Sequence, residues 1–445
     1  MAIKFTDEQQ KVIDTRNSNV LVSAAAGSGK TAVLVERIVN MVCNEEKPVD
    51  IDKLLVVTFT NAAAAEMRER IAKGIAERVE AEPDNEHIQR QATLIHNAQI
   101  TTIDSFCLFL LRNHFHEIGL DPAFRIADAG EIKLLQQDVM AELFEDAYAS
   151  GDEAFRYCVE YFCPGGRETA LEEDILKLAA YADSFPKPEK WLEERKKDYD
   201  PAEGAPFEQS ESGAYLLAYL KQMTQGWLEK MQKLKSLCEE PDGPHMYGKC
   251  VDEDLERMER LAECDSLEKF AATLGNFAWG KLSSATDPSV SVEKRELAKK
   301  RRDELKKSVG KAAEDFFKTP LELAARQASQ CAKPVETLID LTLEFNRRMA
   351  EKLREKKILT FAEAEHFALD ILLQEDGVTP SDVAREYKKH FAEVLIDEYQ
   401  DSNLVQESLL RAISGESEGN YNYSMVGDVQ HSIYRCRLAR PQLFL

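Results

Sequence analysis

One stretch of thirteen residues restricts the fold of this chain more than any other. Asn19-Val20-Leu21-Val22-Ser23 is a short apolar run, and a helix-forming sequence opens at Lys30. Between them lie only small residues, Ala24-Ala25-Ala26-Gly27-Ser28-Gly29. The pattern reads as a buried strand, a tight loop and a helix. Small side chains let the loop's backbone N–H groups converge at the helix N-terminus, where the helix dipole also favours negative charge. Lys30 and Thr31 then add a cation and a hydroxyl. With Ala in place of the first Gly, residues 24–31 fit the Walker A pattern in the structural context that gives the pattern meaning. Ala24, Ala25, Ala26, Gly27, Ser28 and Gly29 are expected to cradle the phosphates of ATP. Lys30 is expected to reach the β- and γ-phosphates, and Thr31 to ligate Mg²⁺.

Such a loop needs a carboxylate on a neighbouring strand. Val394-Leu395-Ile396 followed by Asp397-Glu398-Tyr399-Gln400-Asp401 supplies it. Asp397, at the strand end, is expected to hold Mg²⁺, and Glu398 to orient and polarise the attacking water. The two motifs stand far apart, and the texture between them changes. Residues 1–120 alternate apolar runs (19–23, 54–59, 98–103) with helical segments beginning near 30, 62 and 106. Residues 358–445 return to that texture with runs at 391–397 and 423–428. Apolar runs each followed by a helix indicate a parallel sheet covered on both faces. Residues 121–357 read as nearly all helix, for example 131–149, 214–238, 292–318 and 335–357, with Pro186, Pro188, Pro201, Pro206, Pro241 and Pro244 between helices. The expected fold is α/β: a P-loop NTPase (RecA-like) parallel-sheet domain, 1–120 plus 358–445, with a large all-helical domain, 121–357, inserted into it.

Net charge at first opposes a nucleic-acid partner. The 445 residues carry 57 Lys+Arg against 80 Asp+Glu, a net of −23, and none of the three segments is basic as a whole. One local stretch, Lys294 to Lys311, holds nine basic and three acidic residues. It suits either duplex phosphates or a solvated helix of mixed charge. No apolar run is long enough for a membrane span, and the first residues have no signal-peptide core, so the expected location is cytoplasmic. The nine cysteines include no Cys-x-x-Cys pair, and Cys158 and Cys163 lack metal-ligand spacing. Trp191, Trp227 and Trp279 read as core anchors.

Gly27-Ser28-Gly29-Lys30-Thr31, Thr58-Phe59-Thr60-Asn61 with Ala63-Ala64-Ala65-Glu66-Met67, and Asp397-Glu398-Tyr399-Gln400-Asp401 resemble motifs I, Ia and II of UvrD/Rep-type superfamily 1 DNA helicases. Phe5-Thr6-Asp7-Glu8-Gln9 resembles their Q motif, and Val426-Gly427-Asp428 through Ser432-Ile433-Tyr434 their motif III. Thr101–Cys107, Pro188–Leu192 and Arg437–Pro441 are most similar to the AddA family of helicase–nuclease subunits.

The resemblance implies roles for matching positions. Gln9 would read the adenine edge and Arg37 would lie near the base. Phe59, Thr60 and Asn61 would touch single-stranded DNA, with Thr102 and Ser105 on its backbone. Gln400 would link the γ-phosphate to the DNA contacts. His431 stands where the family has the Gln that senses the γ-phosphate, with Gln430 beside it. Tyr434 keeps a stacking aromatic, but Cys436 replaces another. The implied activity is ATP-driven 3′–5′ translocation and unwinding in double-strand break repair by recombination. The implied partners are single-stranded and duplex DNA and an AddB-like nuclease subunit. The chain ends just after motif III, so the family's second motor domain and the nuclease domain are expected to be absent. Binding of ATP–Mg²⁺ by this chain alone is accordingly expected to be weak and hydrolysis very slow. Two other readings stay open: a stand-alone UvrD/Rep-type repair helicase without nuclease, and a catalytically silent partner-binding module.

Overall fold

The computed structural model describes residues 5–25, 27–199 and 209–428. Ala26 and the motif III positions Gln430, His431, Tyr434 and Cys436 lie outside the described residues. The chain divides into two compact units. The first comprises Met1–Gly151, Glu168–Trp191 and Leu341–Leu445, the second Asp152–Arg167 and Leu192–Asp340. The change in sequence texture falls at 121 and 357; by compactness, helices Ala129–Ser150 and Thr169–Ala182 group with the sheet.

Seven strands are present among the described residues: β1 (Val20–Ser23), β2 (Leu54–Thr58), β3 (Gln99–Thr102), β4 (Arg125–Ile126), β5 (Ile358–Leu359), β6 (Glu393–Ile396) and β7 (Tyr423–Gly427). Five form one sheet in the order β1-β7-β6-β2-β3, every pair parallel. β4 and β5 form a separate parallel pair. The registers Ser23↔Gly427, Ile396↔Met425, Val57↔Ile396 and Thr58↔Thr102 bring the carboxyl ends of all five strands to one edge. In open parallel sheets that edge is where ligands bind.

The apolar runs form strands because both faces are covered. Leu55, Val57, Val394 and Ile396 pack with Phe106, Leu110 and Leu369 on one side. Leu54, Val56 and Leu395 pack with Leu34, Ile38, Met67 and Ile71 on the other. Alternate residues of one strand therefore enter different cores, so a strict polar–apolar alternation never arises. β1 departs from the expectation: it is an edge strand with Leu21 49% exposed.

The second unit is helical. Its core gathers Leu220, Trp227, Met231, Met258, Phe270 and Leu305 from helices Glu211–Glu239, Gly248–Ala262, Leu267–Gly275 and Val292–Phe317. Members of the basic stretch are paired within the chain. Arg302 is buried on Asp254 (Nε 2.9 Å, Nη2 2.7 Å) with Trp279 5.2 Å beneath its guanidinium. Lys294 pairs with Glu240 and Asp242, and Lys299 with Glu296. Helix Leu321–Lys356 begins earlier than position 335 and runs through Pro334, whose carbonyl accepts from Cys158 Sγ at 3.5 Å. Among the described residues no helix is long and apolar enough to cross a membrane.

Helices Lys30–Val42 and Asn61–Ala81 approach closely at Gly74, where an added Cβ would lie 2.7 Å from Val39 Cγ2. Alanine is favoured over glycine inside a helix by about 1 kcal/mol, but overpacking a buried, stiff valine opposes that by about 1–3 kcal/mol. Gly74→Ala is expected to lower stability in chemical denaturation, and adding Val39→Ala to restore the helix-propensity gain.

Candidate functional site

A cleft of about 570 Å³ opens at the carboxyl edge of the sheet. Gly27, Gly29, Lys30 and Thr31 line it from the loop after β1, Thr58, Phe59 and Thr60 from the end of β2, Asp397, Glu398, Gln400 and Asp401 from the turn after β6, and Asp428 from the end of β7.

The loop has the conformation its composition allows. Gly27 and Gly29 hold φ of +80° and +84°, a region where a side chain is strained. The loop closes through Ser28 N–H to the Ala25 carbonyl at 3.2 Å and is tied to β7 by Ala24 N–H to the Gly427 carbonyl at 3.1 Å. Gly29 is the N-cap of helix Lys30–Val42 and provides no capping side chain, so no side chain covers the first N–H groups. Lys30 Nζ donates to the Ala24 carbonyl at 2.9 Å. Gln9 sits against the same loop: Oε1 accepts from Thr6 N–H at 2.9 Å in a capping box, and Nε2 donates to the Ser28 carbonyl at 3.0 Å.

The carboxylates sit opposite. Asp397 is 6% exposed, its carboxylate accepts from the Glu398 N–H at 3.1 Å, and Thr31 and Lys30 stand close enough to favour its charged form. Burial, with the Glu398 charge adding to it, pushes the Asp397 carboxyl up to about 6, against the pull of Lys30 and Thr31. Glu398 is exposed and has φ of +57°, a non-glycine residue in the left-handed region. Gln400 Nε2 donates to Glu398 Oε2 at 2.6 Å, while Gln400 Oε1 accepts from Asp428 N–H at 2.9 Å. One amide, 2% exposed, therefore joins the exposed carboxylate to the end of β7.

A hydroxyl lining the same cleft as a buried, undercompensated carboxylate supplies two hard-oxygen donors that suit Mg²⁺. The loop opposite presents the open amides and the ammonium that a polyphosphate requires. The residues present thus fit ATP–Mg²⁺.

Other positions named from sequence fall elsewhere. Arg37 does not line the cleft. It is 1% exposed, and its Nε donates to Glu393 Oε1 at 2.7 Å and its Nη1 to the Val12 and Thr15 carbonyls at 2.5 Å each. Thr60 caps helix Asn61–Ala81 through Ala63 N–H, leaving Thr60 and Asn61 exposed beside the half-buried Phe59. Thr102 is buried and caps helix Ile103–His114, its hydroxyl donating to Ser105 Oγ at 2.9 Å; Ser105 is exposed. Arg70, Asp401 and Asp428 also line the cleft, although the sequence reading assigned them no role there. The two aspartates stand inside quoted motifs, whereas nothing in the sequence marks Arg70.

Glu393→Gln leaves the Arg37 guanidinium buried without its counter-charge, and the expected loss is about 3–5 kcal/mol. The pair Arg37→Met, Glu393→Leu should lose less, as read by denaturant unfolding. For Asp397 the folded pKa stands above the unfolded value of 3.8. The proton therefore stabilises the fold at low pH, and that contribution is lost as pH rises through about 6. Asp397→Asn should raise stability by about 2–3 kcal/mol above roughly pH 6.5, with the gain about halved at pH 5.

Comparisons with known proteins agree with this geometry. Residues 5–445 match the family described as UvrD/REP helicase N-terminal domain. An AddA protein of Lachnoclostridium phytofermentans, named as an ATP-dependent helicase/nuclease subunit, is 44% identical over 99% of this chain and 32% of its own length. Proteins of the same name from Clostridium perfringens and Clostridioides difficile are 42% and 39% identical, over 100% and 99% of this chain and 36% and 35% of theirs. The chain thus spans about a third of the length of the curated relatives it matches. With a parallel sheet carrying the loop and the carboxylates at one edge, and a family match over nearly every residue, the chain belongs to the UvrD/REP helicase N-terminal domain family.

Proposed function

We propose that this chain is the ATP-binding motor portion of an ATP-dependent DNA helicase/nuclease subunit of AddA type, a P-loop domain with a helical domain inserted in it. The observation that carries the reading is the meeting in one cleft of Lys30 and Thr31 with Asp397, Glu398 and Gln400, from opposite ends of the chain. The names of the relatives support the AddA reading over a stand-alone repair helicase. The complete set of cleft residues disfavours a silent binding module.

In this reading the loop amides and Lys30 bind the triphosphate. Lys30 exchanges the Ala24 carbonyl for phosphate oxygens, which makes its hydrogen bond charge-assisted at both ends. Thr31 and Asp397 would hold Mg²⁺, which neutralises phosphate charge when bound. Glu398 accepts a proton from the attacking water, and Gln400 fixes the direction of its carboxylate. The same Gln400 amide reaches Asp428 N–H, so a shift at the end of β7 is felt at Glu398. Phe59, Thr60 and Asn61 form the surface for single-stranded DNA. An aromatic face there stacks on any base, which suits translocation without sequence preference. Ser105 offers its hydroxyl to the strand's backbone, with Thr102 beneath it as the cap. Duplex DNA ahead of the motor and an AddB-like nuclease subunit complete the assembly, with 3′–5′ movement in recombinational break repair.

Lys30→Ala should weaken ATP–Mg²⁺ binding by roughly 30–100-fold. Glu398→Gln should leave binding within about threefold while lowering hydrolysis by roughly 10²–10⁴. Equilibrium titration with a fluorescent ATP analogue and a single-turnover assay separate the two. Unchanged binding in Lys30→Ala overturns the reading.

A further inference from the structure

The first unit contains a second cavity, of about 320 Å³, which shares no lining residue with the cleft at the sheet edge. It lies among helices Ala129–Ser150, Thr169–Ala182 and Phe361–Leu372 and the part of helix Leu321–Lys356 that follows Leu341. Its walls are mixed, with the apolar Leu176, Phe345, Met349 and Phe367 facing polar residues that include Gln136, Asn346 and His366. Four carboxylates also line it: Asp183, Glu189, Glu363 and Asp370.

These carboxylates are short of positive charge. Among the described residues the Asp183 carboxylate has no hydrogen bond, although His366 Nε2 meets the Asp183 backbone carbonyl at 3.0 Å. Glu363 gives one oxygen, Oε2, to the Thr360 N–H and hydroxyl in a capping box. The one lysine in the lining, Lys187, is paired with Asp370 at 3.3 Å. Burial raises the pKa of both Asp183 and Glu363, and the Glu189 charge raises Asp183 further, against the opposing influence of His366. A part-buried carboxylate beside apolar side chains, offset only by His366, leaves room for a cation that supplies the missing charge.

We infer that this cavity binds an organic cation, a primary amine or guanidinium carried on an apolar body, with Asp183 as its principal counter-ion and Glu363 as the second. The apolar side chains take the body by burial and the carboxylates take the head by charge-assisted hydrogen bonds. A volume near 320 Å³ stands at the small end of ligand pockets, which limits the occupant to one ring or short chain with its charged head. An anion is excluded by the like charges. The inference stands apart from the nucleotide reading, since the two cavities share no residue.

Calorimetric titration of the chain with phenethylamine and with 2-phenylethanol tests it, because the two probes differ in charge and little in shape. The amine should bind at least tenfold more tightly than the alcohol. Asp183→Asn should abolish that preference, and Glu363→Gln should reduce it while keeping its helix cap, since glutamine also completes a capping box. Both variants should bind an ATP analogue as the unaltered chain does. No binding of the amine, equal affinity for the two probes, or a preference retained in Asp183→Asn overturns the inference. The blocked dipeptide acetyl-Phe-Arg-amide distinguishes the source. Competition with the amine shows that a protein side chain can be the occupant, and binding of the amine alone shows a free small cation; either outcome upholds the site.

Discussion

Arg37 and Glu393, 356 residues apart in sequence, form a buried ion pair on which the arrangement of the first unit depends. Arg37 lies in the helix that begins at Lys30, and Glu393 opens the strand that ends before Asp397. Arg37 also holds the Val12 and Thr15 carbonyls at the end of the helix that carries Gln9. Glu393 Oε1 in turn accepts from Ser424 Oγ at 2.6 Å on β7, the strand leading to Asp428. Apart from β2 and the helix Asn61–Ala81 that follows it, every segment that contributes to the cleft thus converges on one charge pair. A buried pair is weak evidence for stability by itself. Its geometric effect is larger here, because each partner carries further hydrogen bonds that relate four elements to one another.

With these elements related in this way, the cleft is an electrostatic device as much as a shape. Asp397 is buried beside the exposed Glu398, so two like charges meet where one is desolvated. Lys30 and Thr31 offset part of that, and a bound cation would offset more. The folded chain therefore holds an unfavourable interaction at the cleft that a bound cation would relieve. Such strain is common where a protein is prepared for a charged partner. Gln400 adds a mechanical element: its two amide ends hold Glu398 and Asp428, so the exposed carboxylate is not independent of the end of β7.

Much of the sheet was legible because its central strands, β2 and β6, are buried on both faces. Leu54-Leu55-Val56-Val57 reads as a covered strand, and the structure trims the expected runs by one to three residues. The loop was legible because its residue types leave little choice: two glycines at positive φ and a lysine at a helix start. Long-range polar pairing was not legible. Arg37 reads as a surface or ligand residue until Glu393 is found against it, and Arg302 reads as part of a solvated basic stretch until Asp254 is found beneath it. Local spacing holds no record of either partner. The helix read over 335–357 is longer than its local pattern shows, since it extends back through Pro334 as a 36-residue helix.

The central claim is that the loop after β1 and the turn after β6 together form one ATP–Mg²⁺ site. A crystal structure of the chain with a non-hydrolysable ATP analogue and Mg²⁺ tests it most directly. The account predicts triphosphate density against the loop amides, Lys30 Nζ moved from the Ala24 carbonyl to phosphate oxygen, and the metal between the Thr31 hydroxyl and the Asp397 carboxylate. Nucleotide bound elsewhere, or bound in the cleft with Lys30 still on Ala24 and no metal at Thr31 and Asp397, would contradict it.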